Sequence, residues 1–370
     1  MKYEKNEEET DMEEVGQLNE EAPIQVEEVP DCLLCRRKGK PLYESLTDRM
    51  FDAPGAWGFL ECPACGLVWL NPRPQPRELL KTYKTYYTHG QKLRLASCRQ
   101  NLFHGLYAAL PGFHGLAPGW IWKWAGKTMS WIPSWKEHAI IETMGLHASH
   151  GEKLLDVGCG DGGFLTTMSL AGWDVSGIEP DPIAARVARE KHPTSIIAHT
   201  LREANLADTS MDVVTMSHVI EHLPDPLQIL RECRRILKPN GKLVVVTPNL
   251  GSQGHRIFRE SWVPLEPPRH FYLFCCRTLS DCCRQAGFSV DSLRTSTRSA
   301  TWVWAASKAI QRKGRFQREA DFSWKLRFEG VCFQRREERA RRNTPDAQAG
   351  EELALIARPN LYAPNQSPAI

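Results

Sequence analysis

Residues 154–164 read "LLDVGCGDGGF": a short apolar run holding Asp156, then Gly158, Gly160, Gly162 and Gly163. An apolar run that ends in glycines is a buried strand entering a tight turn, because glycine lets the backbone reverse sharply and lets a ligand approach where no Cβ stands. The next strand-like run, "WDVSGIEP" (173–180), carries Glu179 at its end. That is about 20 residues on, where a carboxylate can accept both hydroxyls of a ribose. A dinucleotide site asks for a third glycine at Gly-x-Gly-x-x-Gly spacing, to pack helix on strand. The acidic residue ahead of the glycines here suits a ligand without a pyrophosphate instead, with Asp156 holding a cationic amino-acid end through water.

Further along, the same alternation continues. Helical stretches "GGFLTTMSLAG", "DPIAARVAREKH" and "DPLQILRECRRIL" separate the strand-like runs "TSIIAH", "MDVVTMS" and "KLVVVTP", with "KPNG" ending the third helix. Short apolar strands alternating with helices indicate crossover units and a parallel sheet covered on both faces. One more helix, "TLSDCCRQAGF", precedes two closing strands, "SVDSLRT" and "EELALIARP", with a helical stretch (299–346) between them. The fold class expected is α/β, a doubly wound seven-stranded sheet.

Upstream lie two cysteine pairs, Cys32-x-x-Cys35 and Cys62-x-x-Cys65, the second followed by Gly66. Each pair can grip one ion from a tight turn, and two such knuckles complete a tetrahedral four-thiolate zinc site. With all four ligands supplied by protein, no position stays open, so the expected zinc is structural.

The twelve cysteines go with an N-terminus, "MKYEKNEEETDMEEVGQLNEEAP", that has no apolar segment. It does not read as a secretory signal, so a reducing, cytoplasmic compartment is expected. No apolar run approaches the ~18 residues needed to span a bilayer. Net charge is only +3, but unevenly spread: residues 1–31 hold twelve carboxylates against two lysines. So few apolar groups cannot offset ordering entropy, and residues 1–30 are expected to be disordered. The stretch from Lys308 to Arg342 is basic and reads as a solvated helix face, or as a surface for an anionic substrate, membrane or nucleic acid. "GWIWKWAGKTMSWIPSW" (119–135) sets tryptophans among lysines, as a helical cap or as an interfacial helix.

"SHVIEHLPDP" (217–226) contains His-x-x-Glu-His, a pattern of one class of zinc peptidases. That chemistry needs a regular helix. Here the motif begins straight after a buried strand and Pro224 breaks it, so at most one turn can form. The stretch is a loop at the carboxyl end of a sheet strand, where open α/β sheets bind ligands. Cys275-Cys276 and Cys282-Cys283 could suggest a second metal site, but Cys282 and Cys283 fall where a helix places core residues and read as small buried thiols.

Taken as an ordered set, "LLDVGCGDGGF", "GIEP", "MDVVTMSHVIEHLPDP" and "LKPNGKLVVVTPN" resemble the class I S-adenosylmethionine-dependent methyltransferases over about residues 137–358. The resemblance implies S-adenosyl-L-methionine as cofactor, held by Asp156, Gly158, Gly160, Asp161, Glu179, Pro180, Thr200, Ser217 and His218. "CPACGLVWLNPRP", "PPRHFYLF" and "GEELALIARP" look like a bacterial subgroup with an N-terminal zinc module. Its members are associated with sugars of surface polysaccharides or resemble ubiquinone-type O-methyltransferases. The latter hold a divalent metal with Glu-x-x-Glu-His, whose first position is His218 here. A hydroxyl acceptor needs a base, for which His270, fixed beside Pro267-Pro268, and His222, with Glu221, are the candidates.

The organisation expected is therefore a disordered tail (1–30), a zinc-ribbon-like module (31–75), a helical cap (76–136), a methyltransferase core (137–298), a basic helical insertion (299–346), a closing strand (347–358) and a tail (359–370). The expected partner is a small-molecule acceptor such as a sugar or sugar-nucleotide. Nucleic-acid binding through the ribbon and the basic insertion, or a lipid acceptor reached through the tryptophan-rich stretch, are the alternatives.

Overall fold

A computed structural model describes residues 23–83, 97–110, 113, 119–193, 195–317, 321, 323–343 and 349–361. Residues 1–22, most of the expected disordered tail, lie outside the described residues. Its last part is not free: β1 (Val26–Glu27) pairs antiparallel with β5 (Arg73–Pro74), and Val29 donates its N–H to Asn71 Oδ1. Arg73 meets the Glu27 carboxylate at 2.7 Å, so an acidic residue here serves a basic partner rather than solvent.

Between these strands, β2 (Lys40–Leu46), β3 (Trp57–Glu61) and β4 (Val68–Leu70) form an antiparallel sheet that packs Trp57, Phe59, Trp69 and Leu70 inward. Three helices follow: α1 (Ser97–Tyr107), α2 (Trp120–Met129) and α3 (Pro133–Glu142). The α1–α2 crossing is close because glycines face it. A Cβ on Gly126 would stand 1.9 Å from the Gly105 carbonyl oxygen.

The large sheet begins at β6 (Lys153–Val157), then β7 (Asp174–Ile178), β8 (Ile196–Ile197), β9 (Met211–Ser217) and β10 (Leu237–Pro248), all parallel. The crossover helices are α4 (Gly163–Leu170), α5 (Pro182–Lys191) and α6 (Pro226–Ile236). Asp181 and Asp225 cap α5 and α6 by accepting N–H bonds from their first turns, and a proline at the first helical position fixes φ for each. β10 starts earlier than expected. Leu237 already pairs with Met211, and the "KPNG" turn is absorbed as a register shift before Lys242.

Downstream come α7 (Gln253–Phe258), β11 (Tyr272–Leu273), α8 (Cys276–Gln285), β12 (Phe288–Ser296), α9 (Ala300–Lys313), α10 (Trp324–Asn343) and β13 (Glu352–Pro359). The sheet order is β12-β13-β10-β9-β6-β7-β8, with β13 antiparallel to both its neighbours. This is the expected doubly wound seven-stranded sheet. Strand order reverses between β6 and β9, and that switch point is where such sheets open a ligand crevice. Cys282 and Cys283 are fully buried on α8, as small core thiols. The insertion is not simply a basic surface: Val303, Ala306 and Ile310 of α9 and Leu326 and Phe333 of α10 are buried, with arginines left outside.

The expected 31–75 module does not stand alone. β11, from the far side of the chain, pairs with β4 and completes a sheet ordered β11-β4-β3-β2. Beside that join, Arg269 is wholly buried and meets Asp48 with two hydrogen bonds of 2.8 Å, while its Nε donates to Glu266 (3.1 Å) and Nη1 to the Thr82 carbonyl (3.0 Å). Removing one partner of a buried ion pair strands the other charge. Asp48→Ala is accordingly expected to lower stability by about 3–5 kcal/mol, read from the denaturant midpoint.

Candidate functional site

At the carboxyl end of β6, Asp156 is buried and its Oδ1 accepts a 2.7 Å hydrogen bond from Thr215 on the neighbouring β9. Burial and the nearby Glu179 raise its pKa to about 7 despite the Thr215 hydroxyl, so near neutrality it is poised between charge states. The turn that follows demands its glycines. Gly158 has φ +74°, and a Cβ there would meet Val219 at 2.5 Å. Gly160 has φ +54° with nothing within 4 Å of its would-be Cβ, so an open cradle lies over it. Glu179, past the end of β7, closes this cradle. Its carboxylate accepts from Gly160 N (2.8 Å) and Asp181 N (2.9 Å), and burial raises its pKa.

Not every residue in the expected cofactor set is brought here. Asp161 is turned to the surface, capping Gly163 N and pairing with Lys191 at 2.8 Å. Pro180 is exposed. Thr200 is exposed as well and gives its hydroxyl to Glu203. The local hydrogen bonds of Asp161 and Thr200 are ones the letters alone do not show. Ser217 ends β9 facing solvent, and His218 follows with φ +56°, in the left-handed region, its N–H held by the Val246 carbonyl at 2.8 Å. A bulky residue held in that region is a mark of functional sites.

Partly exposed His218 lies between two buried carboxylates: Nδ1 is 3.3 Å from Glu221 Oε1, and Nε2 is 3.3 Å from Glu352 Oε1. Burial disfavours its charge, but the two carboxylates outweigh that and raise its pKa to about 9. Arg298 in turn grips Glu352 through two hydrogen bonds. His218 is therefore a fixed cation, and unsuited to accepting a proton.

Proton chemistry falls to its neighbours. His222, on a single 3-10 turn (Ile220–His222), and His270, on the loop before β11, stack edge to face with centroids 4.6 Å apart. His270 Nδ1 lies 2.7 Å from the Pro264 carbonyl, and His222 Nδ1 lies 3.1 Å from the Arg269 carbonyl and 3.0 Å from the Tyr83 hydroxyl. Each Nδ1 therefore carries the proton and each Nε2 keeps its lone pair. Burial lowers both pKa values to about 4, so both rings are neutral at physiological pH. Glu221, 1% exposed, fixes Oε2 on the Thr247 hydroxyl (2.9 Å), while Oε1 faces His218 Nδ1 at 3.3 Å. Burial alone would raise its pKa, but His218, then His222 and His270, hold it at about 2.

One donor atom from each of Glu221, His222 and His270 lies within 4.8 Å of the others. Two neutral imidazoles oriented by backbone carbonyls and one ionised carboxylate can serve as an acid–base group, and are also donor types that suit a divalent cation. The metal implied by Glu-x-x-Glu-His would thus find its missing ligand in His270 rather than His218. Thr215, Thr247, Tyr83, Arg298 and Glu352 are the residues sequence reading missed. The two threonines carried a signal, as polar residues set inside apolar strand runs.

In the ribbon, Cys32, Cys35, Cys62 and Cys65 converge, with Sγ separations of 3.4 Å (Cys32–Cys65), 3.3 Å (Cys35–Cys62) and 4.0 Å (Cys35–Cys65). These are too long for disulfides. They bracket the ~3.8 Å edge of a tetrahedron with metal–sulfur bonds of about 2.3 Å. The four thiols fit zinc.

Strand order, reversed last strand, glycine loop and acidic β7 end together define a class I methyltransferase domain. A family model described as a methyltransferase domain matches residues 136–293. A ubiquinone biosynthesis O-methyltransferase of Actinobacillus pleuropneumoniae is 36% identical over 109 residues, 27% of this chain and 47% of that protein. One from Xanthomonas oryzae pv. oryzae is 38% identical over 105 residues, 27% of this chain and 44% of the relative. The chain thus spans about half the length of the curated relatives it matches. A solved S-adenosylmethionine-dependent methyltransferase from Mesorhizobium loti covers 60% of this chain, and 97% of its own, at 16% identity and a TM-score of 0.40.

Substituting Cys35 and Cys65 by serine is expected to abolish bound zinc, measured by mass spectrometry of the native chain. Because β4 anchors β11, the same variant should lose amide protection along Tyr272–Leu273, read by hydrogen exchange.

Proposed function

We propose that this protein is an S-adenosylmethionine-dependent O-methyltransferase acting on a small hydroxylated acceptor, with a sugar or sugar-nucleotide as the first choice. The observation that carries this reading is the group formed by Glu221, His222 and His270, set at the carboxyl end of β9 in the crevice that holds the glycine cradle. S-adenosylmethionine supplies an activated methyl on a good leaving group. What this chain must add is alignment and a place for the acceptor's proton. Alignment can be worth about 7–11 kcal/mol.

Gly158 and Gly160 keep the cradle free of side chains, Glu179 offers its remaining lone pairs to a ribose, and Asp156 faces the cationic end. His270 Nε2, or His222 Nε2 beside it, takes the acceptor proton. Glu221, a carboxylate with an oxygen within 4.8 Å of a ring nitrogen of each histidine, then stabilises the imidazolium through its charge. His218, already protonated, does not compete for that proton. If a divalent ion occupies the Glu221–His222–His270 group, those residues hold it and it acidifies the acceptor hydroxyl. A second reading takes an aromatic hydroxyl as acceptor, favoured by the names of the ubiquinone-type relatives. Parallel assays with sugar-nucleotides and polyprenylated phenols separate the two.

Glu179→Ala should weaken S-adenosylmethionine binding by about ten- to hundredfold in calorimetry, from loss of hydrogen bonds to a charged group worth about 1.5–3 kcal/mol. No binding to the native, zinc-loaded chain would sink the proposal. Affinity for the cationic cofactor should rise as pH climbs through about 7, because Asp156 loses its proton there and only the carboxylate attracts a cation. Asp156→Asn should flatten that profile. His270→Ala with His222→Ala should lower the methyl-transfer rate by about 10²–10⁴-fold while leaving cofactor affinity unchanged.

A further inference from the structure

The acceptor chemistry leaves one exposed surface unused. Trp120 (73% exposed), Ile121, Trp124 (61%), Trp131 (80%), Ile132 and Trp135 all stand out to solvent along α2, α3 and the short link between them. Isolated exposed apolar residues are ordinary, but a contiguous run marks an interaction surface. These side chains are turned outward by construction: the Gly105–Gly126 crossing pins the opposite face of α2 onto α1, and a Cβ at either glycine would collide with backbone. Between them stand Lys123, Lys127 and Lys136, all exposed, and the stretch 119–136 contains no carboxylate. Lys127 already lies over the Trp124 ring at 5.5 Å.

We infer that this tryptophan–lysine stretch is a docking surface that seats the protein on an anionic lipid bilayer. Indole rings sit at the boundary between headgroups and acyl chains, and lysine stems bury their methylenes while their ammonium groups meet lipid phosphates. Charge decides against the competing occupants. A second copy paired through the same face would set three lysines against three lysines, with no carboxylate between them. A nucleic acid would supply the negative charge, but single-stranded recognition uses a groove with aromatic platforms. Here exposed Ile121 and Ile132 stand among the tryptophans, which suits acyl chains instead. Among the described residues no helix is long and apolar enough to cross a membrane, so the contact is peripheral.

Docking would also orient the site. α3 is tied to the core next to the site by Glu137, which meets Arg341 at 2.7 and 2.8 Å, and by Glu142, which pairs with Arg298. Arg298 also holds Glu352, the partner of His218.

The test is co-sedimentation of the full chain with phosphatidylcholine vesicles made with and without phosphatidylglycerol. Binding to the anionic vesicles only, weakened by high salt and cut about tenfold or more by Trp120→Ser, Trp124→Ser and Trp131→Ser together, is the expected result. A second variant, Lys123→Gln, Lys127→Gln and Lys136→Gln, should lose the salt-sensitive part while keeping every tryptophan. S-adenosylmethionine calorimetry on each variant shows that it is folded. Absence of sedimentation, or sedimentation that neither variant changes, overturns the inference. So does a dimer in light scattering, or oligonucleotide binding in anisotropy, that the tryptophan variant abolishes. Failure of the methyltransferase reading would show instead as loss of cofactor binding by the native chain, with vesicle binding intact.

Discussion

Arg269 is a guanidinium with no access to water, and the molecule is arranged around keeping it paired. Asp48 meets it with both oxygens, Glu266 with one, and the Thr82 carbonyl takes another N–H. A buried charge of this kind is costly unless its donors are satisfied, so wherever Arg269 sits, the segments carrying Asp48 and Thr82 must follow. Arg269 adjoins His270 in the chain, and its own carbonyl faces His222 Nδ1. One ion pair thus binds the N-terminal module to the loop that carries the proposed base. The β11–β4 pairing repeats the connection through backbone hydrogen bonds. The ribbon is better understood as a clamp on the site than as an appended domain.

Charge inside the crevice is sorted by the same logic. Four ionisable groups, His218, Glu221, His222 and His270, lie close together, yet they do not share one behaviour. His218 sits between two carboxylates and becomes a cation. His222 and His270 are held by carbonyl oxygens, face mainly burial and each other, and stay neutral. Glu221 stays ionised because histidines surround it. A fixed cation, a fixed anion and two neutral imidazoles thus stand side by side, and the partition arises from position rather than from residue type.

Much of this was legible in the letters, and the reasons differ by residue. "LLDVGCGDGGF" could be read because a positive φ, as at Gly158 and Gly160, favours glycine, and Glu179 because its distance along the chain is set by one crossover unit. The four cysteines were legible for a similar reason: a two-residue spacing is itself a ligand geometry. Asp161 and Thr200 are exposed and bonded to Gly163, Lys191 and Glu203, local hydrogen bonds that leave no trace in composition, and Pro180 is exposed beside Glu179. The disordered tail was drawn too long, because charge density does not reveal that Glu27 has Arg73 waiting for it.

By itself, then, the sequence determined the order of strands and helices, the glycine turn, the acidic end of β7 and the two cysteine knuckles. Each of these is a local demand, met within one turn or one crossover. The tertiary structure alone decided that His270 comes up beside His222 and Glu221, that Thr215 and Thr247 steady the two buried carboxylates, and that the ribbon's sheet is completed by β11. Those contacts join residues 26 to 221 positions apart, and no spacing rule encodes them. They follow from which buried polar groups can satisfy one another once the sheet has closed.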